Sequence, residues 1–245
     1  MSTAESPETS PGPWHEETYT VAVTSGLGPL FLQCADGARV PLDVERWSST
    51  ADAADMTVLQ RCEKSVLDIG CGPGRLVAAL SKTGRTALGI DISPAAITRA
   101  QGGGGSALHR SVFDPLPTEG QWGTALLIDG NIGIGGNPGR LLKRVAEIVQ
   151  PGGLLLAEVS QPDVDERFNA RIEGGDGPAG TTFPWARTGI TALLREARGN
   201  GWTYVEQWAA HQRTFVALRT AAPGTWALRT SHYRRLRSAQ RPSCD

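Results

Sequence analysis

Apolar and polar residues alternate along the middle of the chain with two different periods. Short apolar runs rich in Val, Ile and Leu predict buried β-strands, and longer stretches with apolar residues three or four positions apart predict amphipathic helices. Residues 138–149 show the helical pattern most fully, because Leu141, Val145 and Ile148 fall on one face. The predicted strands are 65–69, 86–91, 107–113, 124–129 and 154–160, and the predicted helices are 74–83, 94–101 and 138–149.

Strands and helices that follow one another in this way are typical of a parallel sheet with crossover helices. Further along, strands are predicted at 203–210 and 213–219, and the few residues between them require an antiparallel hairpin. Five parallel strands are thus followed by a hairpin whose last strand runs in the reverse direction.

Local residue types predict where several of these helices begin and end. Ser93 is expected to be an N-cap with Pro94 as the first helical residue, and Gly84 is expected just after a helix end. Asn137 precedes Pro138 at the start of another helix.

The flanking segments differ in composition from the α/β region. Residues 1–17 are rich in Ser, Thr, Pro and Glu and are expected to be a disordered tail. An N-terminal extension over 18–62 is predicted to contain a hairpin turning near residues 35–37 and a helix over 51–62, and Pro41 would place its strand at a sheet edge. The main domain spans 63–220. It includes a polar, Gly-rich insertion at 161–200 with a helix over 188–198, and residues 221–245 form a basic tail.

The overall charge and the cysteines exclude several classes of protein. The chain has 24 Lys and Arg, 25 Asp and Glu and a formal net charge of −1, which gives no field to attract nucleic acid or anionic lipid. No signal-peptide core or membrane-spanning run is predicted. The four cysteines form no C-x-x-C pair and have no metal spacing with the histidines, so we expect a reduced, cytoplasmic protein without a metal. The oligomeric state is not readable from the sequence.

The most informative segment is VLDIGCGPG at residues 66–74. A buried strand passes into a glycine turn and then into a helix, the arrangement that brings bare backbone against a nucleotide-like ligand. Gly72 is expected to leave room for that ligand. Asp91 closes the next predicted strand, where a carboxylate can bind both ribose hydroxyls.

The glycine spacing separates two classes of nucleotide-binding protein. Gly70, Gly72 and Gly74 form G-x-G-x-G, whereas the dinucleotide fingerprint is G-x-G-x-x-G. Together with residues 89–94, 111–117 and 151–156, this motif resembles the class I methyltransferases that depend on S-adenosylmethionine (SAM), and the broader sequence resembles actinobacterial small-molecule enzymes of that class. The resemblance implies an α/β fold with a doubly wound, mostly parallel seven-stranded sheet and an antiparallel last strand, and SAM as the cofactor.

The resemblance also implies roles for individual residues. Backbone at the glycine turn would surround the methionine and ribose portions of SAM, Asp68 would hold its amino group, and Asp91 would bind the ribose diol. Two alternatives stay open: Asp68 as a cap for backbone N–H groups, and Asp114 as a turn former rather than an adenine ligand. The full set of expected cofactor ligands is Asp68, Gly70, Cys71, Gly72, Gly74, Asp91, Ile92, Phe113, Asp114 and Asp129.

The acceptor side is less defined. Asp129 and Asn131 lie in a glycine-rich loop at 128–137, whose composition indicates a close approach of the backbone, with a flexible loop as the alternative. The resemblance implies that Asp129 or Asn131 contacts the amino or carboxyl group of SAM, or the acceptor. Trp47, Trp185 and Arg187 belong to the two segments able to cover the cofactor, and the tryptophans would suit a planar or apolar small molecule or would fill a secondary core. A small-molecule acceptor, with no nucleic acid and no membrane, is the expected partner.

No catalytic base is assigned. Cys71 is expected to be a small turn residue rather than a nucleophile, and His109, inside a predicted strand, is expected to pack in the core. His15, His211 and His232 lie in tails or at a turn. Two other functions stay open: an NAD(P)-dependent oxidoreductase, disfavoured by the glycine spacing, and a non-catalytic SAM-binding subunit.

Overall fold

The computed structural model describes residues 17–34, 37–175 and 177–221. Predictions for residues 1–16 and 222–245, including both tails, His15 and His232, lie outside the described residues. The helices are α1 (Glu17–Ser25), α2 (Val44–Ser48), α3 (Ala53–Leu59), α4 (Arg75–Lys82), α5 (Pro94–Gly102), α6 (Pro138–Ile148) and α7 (Ile190–Gly199), with a kinked 3₁₀ segment at Asn131–Gly136. The strands are β1 (Leu30–Cys34), β2 (Arg39–Leu42), β3 (Val66–Ile69), β4 (Ala87–Asp91), β5 (Ala107–His109), β6 (Trp122–Leu127), β7 (Val149–Val159), β8 (Asp165–Gly174), β9 (Gly177–Thr188), β10 (Trp202–Ala210) and β11 (Arg213–Thr220).

A seven-stranded sheet forms the centre of the molecule in the order β10-β11-β7-β6-β3-β4-β5. Strands β3 to β7 pair in parallel, and β11 pairs antiparallel with both β7 and β10. The predicted fold class is confirmed. The chain moves outward from β3 to β5 and then returns to the other side of β3, so the strand order reverses between β3 and β6, where ligands of such sheets bind.

The central sheet is buried on both faces, which explains its continuous apolar runs. Successive residues of β3 point to opposite faces, so Val66 belongs to a core cluster with Leu76 and Leu80 of α4, whereas Leu67 packs in a cluster with Leu141 of α6. Both sides of the carboxyl end of β3 are therefore fixed by packed core.

Most predicted helix ends are confirmed. The side chain of Ser93 accepts a hydrogen bond from the Ala96 N–H with Pro94 in the first turn, and that of Asn137 accepts one from the Arg140 N–H. Gly84 follows the C-cap Thr83 with a φ of 73°. One strand is shorter than predicted: β5 ends at His109 rather than at 113.

A second sheet, which the insertion helps to form, was not predicted. Its order is β2-β1-β8-β9, entirely antiparallel, and β2 with Pro41 lies at an edge as expected. Residues 165–174 and 177–188 are therefore two long strands rather than an irregular polar segment. The apolar signal of β8 is weak, because the buried positions on either side of the exposed Arg171 hold only Ala170 and Ile172 and most of the other residues of the strand are charged or polar.

Helix α1 covers one side of this second sheet and was also missed. Tyr19 and Val23 of α1 join a third core cluster with Leu32 of β1 and Phe183 and Trp185 of β9. Arg99 of α5 donates to the carbonyl oxygens of Val23 and Thr24, which satisfies the end of α1. The second sheet and α1 are thus anchored to the main domain.

Candidate active site

A cavity of about 290 Å³ lies where the carboxyl ends of β3, β4 and β6 meet the second sheet. Most of the residues predicted from the sequence line it. These are Gly70, Cys71, Gly72, Asp91, Ile92, Phe113 and Asp129 among the expected cofactor ligands, and Trp47, Asn131 and Trp185 among the expected acceptor residues. Asp68, Gly74, Asp114 and Arg187 do not line it.

The glycine turn leaves β3 in a left-handed conformation that favours glycine. Gly70 has a φ of 71° and Gly72 a φ of 52°, and the N–H groups of Gly70 and Cys71 both donate to the carbonyl of Ile90. A Cβ on Gly72 would meet nothing within 4 Å, and this residue borders the cavity. The open space beside Gly72 is therefore available to a ligand.

Gly74 has a different reason to be glycine. Its φ is 87°, and a Cβ there would lie 2.6 Å from the Cβ of Ala100, so Gly74 allows α4 to approach α5. The Cys71 side chain is also closely packed. A Cβ on Gly89 would lie 2.6 Å from the Cys71 sulfur, so glycine at position 89 leaves room for this side chain. Burial, with Asp91 and Asp68 nearby, raises the pKa of the Cys71 thiol well above its usual range, as expected for a turn residue rather than a nucleophile.

Asp91 holds the turn together while facing the cavity. One carboxylate oxygen accepts from the Gly72 N–H at 2.9 Å, and the other accepts from the Ser93 N–H at 2.8 Å. Burial raises the pKa of Asp91 above its ordinary value, although these hydrogen bonds oppose that effect. Each oxygen keeps a second lone pair, so the carboxylate can still accept from a pair of ligand hydroxyls.

Asp68 lies in β3, two residues before Gly70 of the glycine turn, and is only 2% exposed. Its Oδ2 atom is buried and has no hydrogen-bond partner among the described residues. Burial raises the pKa of Asp68 to about 7; Arg75 opposes that change, and Asp129 and Asp91 add to it. The alternative role of Asp68 was to cap backbone N–H groups, but no backbone N–H group among the described residues donates a hydrogen bond to Oδ2.

The residues after β5 separate into two groups. Phe113 lines the cavity and carries the guanidinium of Arg140 above its ring at 4.5 Å. The Asp114 side chain is exposed and accepts from the Ser111 N–H at 3.2 Å, the turn-forming arrangement. Arg187 points away from the site as well, since its Nη1 donates to Glu166 at 2.8 Å.

Asp129 is the centre of a buried ionic network. It follows β6 with a φ of 59° and receives Arg46 Nη1 at 2.7 Å, Arg75 Nη1 at 2.6 Å and Arg213 Nη2 at 3.3 Å. Burial alone would raise the pKa of Asp129, but the three arginines outweigh it and lower that pKa. We refer to Arg46, Arg75 and Arg213 as the arginine cluster.

The arginine cluster is balanced by further carboxylates. Asp55, fully buried on α3, accepts from Arg75 Nε at 2.8 Å and from Arg213 Nη1 at 2.8 Å. Burial opposes this arrangement, but both arginines lower the pKa of Asp55 to about 2. Glu158 pairs with Arg213 and also accepts the Asp129 N–H at 2.8 Å, which supports the left-handed backbone there.

The glycine-rich loop after β6 approaches other backbone closely, as its composition predicted. Asn131 Nδ2 donates to the carbonyls of Ile69 and Gly70, both at 2.9 Å, and so bridges the strand ends at which the sheet order reverses. A Cβ on Gly133 would collide with the carbonyl oxygen of Ala186, and one on Gly136 would lie 2.8 Å from Pro184. These glycines therefore let β9 pack onto the loop.

The opposite side of the cavity is apolar. Trp47 of α2 and Phe183 and Trp185 of β9 form what we refer to as the aromatic wall, with Leu42 and Ile134 beside it. The rings of Phe183 and Trp185 meet edge to face, with centroids 6.1 Å apart. Phe183 and Trp185 also belong to the third core, so the packing role considered for Trp185 is present beside its position at the cavity.

Several site residues were missed from the sequence. Arg75 had a usable indication, because an arginine in the first turn of a helix is unfavourable with the helix dipole and implies nearby carboxylates. Tyr19, 4% exposed, borders the cavity; burial and the charge of Asp91 raise its pKa well above the usual range. Nothing in the α1 segment indicated this role.

The histidines give no base at the cavity within the described residues. His109 was expected in the core but is exposed, because β5 is an edge strand, and its Nε2 lies 2.9 Å from the Ile92 carbonyl oxygen. His211 lies in the turn between β10 and β11.

In the described part of the chain, no group of three or more His, Cys, Asp and Glu side chains is arranged to hold a metal ion. The same residues include no helix long and apolar enough to cross a membrane.

Solved structures with the same fold include several methyltransferases. A SAM-dependent methyltransferase from Bacteroides fragilis, in complex with S-adenosylhomocysteine (SAH), is 21% identical with a TM-score of 0.71, and the match covers 88% of this chain and 100% of that one. A 1,6-didemethyltoxoflavin-N1-methyltransferase from Burkholderia thailandensis is 18% identical over 73% of this chain and 81% of that one, with a TM-score of 0.52. The sugar N-methyltransferase KedS8 from Streptoalloteichus sp. ATCC 53650 is 15% identical over 71% and 88%, with a TM-score of 0.51.

The structural likenesses show the fold, and the family follows from the sequence match. None of the curated proteins compared matches the chain. A family model described as a methyltransferase domain matches residues 48–216, which is more than half of the chain and includes the glycine turn, Asp91 and Asp129. The chain therefore belongs to this methyltransferase family, and it is a SAM-dependent methyltransferase.

Proposed function

We propose that this protein transfers a methyl group from SAM to a small organic molecule held between the glycine turn and the aromatic wall. The observation that carries the proposal is the cavity itself, which has a polar side made of strand ends and an apolar side made by the second sheet. Concave sites of this kind, mostly apolar with a few placed polar groups, are typical for small molecules.

The polar side of the cavity fits the cofactor. Asp91 would accept from the ribose hydroxyls, the open space at Gly72 would admit the ligand against bare backbone, and Ile92 and Phe113 would contact adenine. The Oδ2 of Asp68 is buried and unpartnered; Asp68 does not line the cavity, but the ammonium group of SAM would satisfy this oxygen directly or through a water molecule. Asp114 is better explained as a turn former, since its side chain is exposed outside the cavity.

For Asp129 we propose an indirect role in place of the expected contact with the cofactor. Its carboxylate is already bound by the arginine cluster, so it would position Arg75, which lines the cavity, rather than contact the amino group of SAM directly. Asn131 likewise acts through the turn, because both of its donor bonds fix carbonyls at the end of β3.

The N-terminal extension 18–62 and the insertion 161–200 would form the acceptor side. They supply Tyr19, Leu42, Trp47, Phe183 and Trp185 to the cavity. Two structural neighbours act on small molecules by their descriptions, one with bound 1,6-didemethyltoxoflavin and one on a sugar, which supports an acceptor of this size. The net charge of −1 supports neither nucleic acid nor anionic membranes as partners. The buried thiols Cys62 and Cys71 support a reducing, cytoplasmic setting.

Methyl transfer from a sulfonium is an in-line displacement whose methyl group is already activated. The residues of this chain would contribute by aligning the acceptor with the methyl carbon and by excluding water with the aromatic wall. Intramolecular positioning of this kind supplies roughly 7–11 kcal/mol in well-oriented reactions. The role of the chain is therefore orientation, and no proton-transfer step is assigned to a residue.

The first test is a thermal-shift comparison with SAM, SAH, NADH and NADPH. A ligand at 100 times its dissociation constant stabilises the folded chain by about 2.7 kcal/mol, or roughly 5–10 °C at this length. We expect shifts with SAM and SAH only; a shift with a nicotinamide cofactor alone would contradict the cofactor site.

A second test separates the kinds of acceptor. Cell extract is incubated with the protein and methyl-labelled SAM and is then divided into a small-molecule filtrate and a macromolecular fraction. We expect label in the filtrate. Label confined to protein or nucleic acid would refute a small-molecule acceptor, and turnover of no acceptor together with a stable protein partner would favour the non-catalytic subunit.

A further inference from the structure

The aromatic wall offers ring carbon to the cavity rather than hydrogen-bond donors. Trp47 lines the cavity, but its Nε1 atom is buried from solvent and has no partner among the described residues, so its accessible surface is the rest of the indole. Leu42 and Ile134 beside it have only aliphatic side chains. This side therefore fits a flat, apolar ring system.

An anionic acceptor would be poorly stabilised against this wall. Among the described residues that line the cavity, the cationic side chains are Arg75 and Arg110. Arg75 is engaged by Asp55 and Asp129, and Arg110 is exposed and directly follows β5, the strand end next to Phe113. A carboxylate or phosphate against the aromatic wall would lose its hydration, and among the described lining residues Arg110, at the exposed end of β5, is the cation left to pair with it.

The acidic and phenolic groups of the described cavity lining do not serve as bases near neutral pH. Asp91 is bonded to two backbone N–H groups, and Asp129 is held by the arginine cluster. The raised pKa values of Tyr19 and Cys71 keep both groups protonated. An alcohol or neutral phenol, which must lose a proton to become a strong nucleophile, is therefore not activated by these groups.

A positive charge, by contrast, is stabilised by aromatic rings. Cations attract the faces of Trp, Tyr and Phe, and the attraction is stronger where water is excluded. During methyl transfer to a neutral nitrogen, the positive charge leaves sulfur and appears on nitrogen. Trp47, Phe183 and Trp185 line the cavity in which that charge would develop.

We propose that the acceptor is a flat nitrogen base, an aromatic amine or a nitrogen heterocycle, and that the aromatic wall stabilises the cation formed on its nitrogen. This rests on the proposed small-molecule function. The nitrogen lone pair forms the C–N bond as the C–S bond breaks, and the bonding pair returns to sulfur as the neutral thioether SAH. An amine then releases its N–H proton to water, whereas a fully substituted ring nitrogen stays cationic.

The test compares three flat probes of similar size with the protein saturated with SAH: N-methylquinolinium, neutral quinoline at pH 8, and 2-naphthoate. Binding is measured by calorimetry. We expect N-methylquinolinium to bind about 5- to 30-fold more tightly than 2-naphthoate, the range that a desolvated cation–π contact supplies. Trp47→Leu should weaken the binding of N-methylquinolinium more than the binding of quinoline. Trp47→Phe keeps an aromatic ring and should restore the preference for the cation.

Each other result overturns the proposal. Equal or tighter binding of 2-naphthoate, no binding of N-methylquinolinium, or an equal loss of all probes in Trp47→Leu would each contradict it. The wild-type comparison of cation and anion decides the question even if the Trp47 variants do not fold. SAH is measured alone first: if it does not bind, the proposed function itself fails, whereas SAH binding without cation preference refutes only the acceptor class.

Discussion

Asp68 allows a quantitative test of how the site is built. Its carboxyl group is 2% exposed, its Oδ2 lacks a partner among the described residues, and burial raises its pKa to about 7 from the ordinary 3.8. A buried carboxylate without a partner destabilises the folded state, so replacing it by the isosteric, uncharged Asn should stabilise the protein.

The size and the pH dependence of the effect follow from linkage. Below about pH 4 both the folded and the unfolded chain carry the Asp68 proton, and the charge contributes nothing. As the pH rises, the unfolded chain loses that proton first while the folded chain keeps it until about pH 7, so stability falls across this window. The difference between the ordinary pKa of 3.8 and the folded-state pKa of about 7 corresponds to about 4 kcal/mol of destabilisation, and all of this destabilisation is present above pH 7.

The assay is urea unfolding of the wild type and Asp68→Asn at pH 4 and pH 8. We expect the free energy of unfolding of the variant, relative to that of the wild type, to be about 3–4 kcal/mol higher at pH 8 than at pH 4. The contribution of the Asn amide is the same at both pH values and cancels in this comparison. Comparing the two proteins at each pH cancels the titration of the carboxyl groups that do not interact with Asp68. Equal differences at both pH values would refute the reasoning. SAM affinity should fall in the same variant if Asp68 holds its ammonium group.

Four further substitutions test separate parts of the site. Gly72→Val should lower stability only by the strain of a branched residue in left-handed backbone and should abolish SAH binding by calorimetry, whereas Gly74→Val should lower stability further because it also collides with Ala100. An equal loss of stability in the two variants would contradict their different surroundings. Asp91→Ala should weaken SAH binding by tenfold or more through the lost ribose contacts, and unchanged affinity would disprove that assignment. Asp129→Asn should cost about 3 kcal/mol in urea unfolding because it leaves buried guanidinium groups without their carboxylate, and a neutral result would show that Asp55 and Glu158 alone balance the arginine cluster.

The sequence was sufficient to predict the central sheet because its information is local. Each parallel strand is a continuous apolar run, and each following helix is marked by residues such as Ser93 and Asn137 that satisfy its first N–H groups. The glycine turn carries its own conformational requirement at Gly70 and Gly72. These features depend on neighbours within a few residues, so one sequence reveals them.

The second sheet could not be predicted for the opposite reason. Its strands β8 and β9 bury one face only, and the inward positions of β8 are occupied by small or medium residues between charged ones. Its partner strand β1 lies more than 130 residues earlier in the chain. Pairing over such a separation has no local pattern, and the same limit applies to the position of Tyr19 in the cavity.

The arginine cluster shows why side-chain roles are harder to predict than folds. The motif position of Asp129 suggested a direct cofactor contact, but its carboxylate is bound by arginines from α2, α4 and β11. Helix α2 belongs to the N-terminal extension, α4 follows the glycine turn, and β11 is the last strand. Because Arg46 joins the extension to the same carboxylate that positions Arg75, the segment that carries Trp47 cannot move without disturbing a buried ionic network. The proposed acceptor side of the cavity is therefore held in place by charges next to the glycine turn, and a change of either is expected to alter the other.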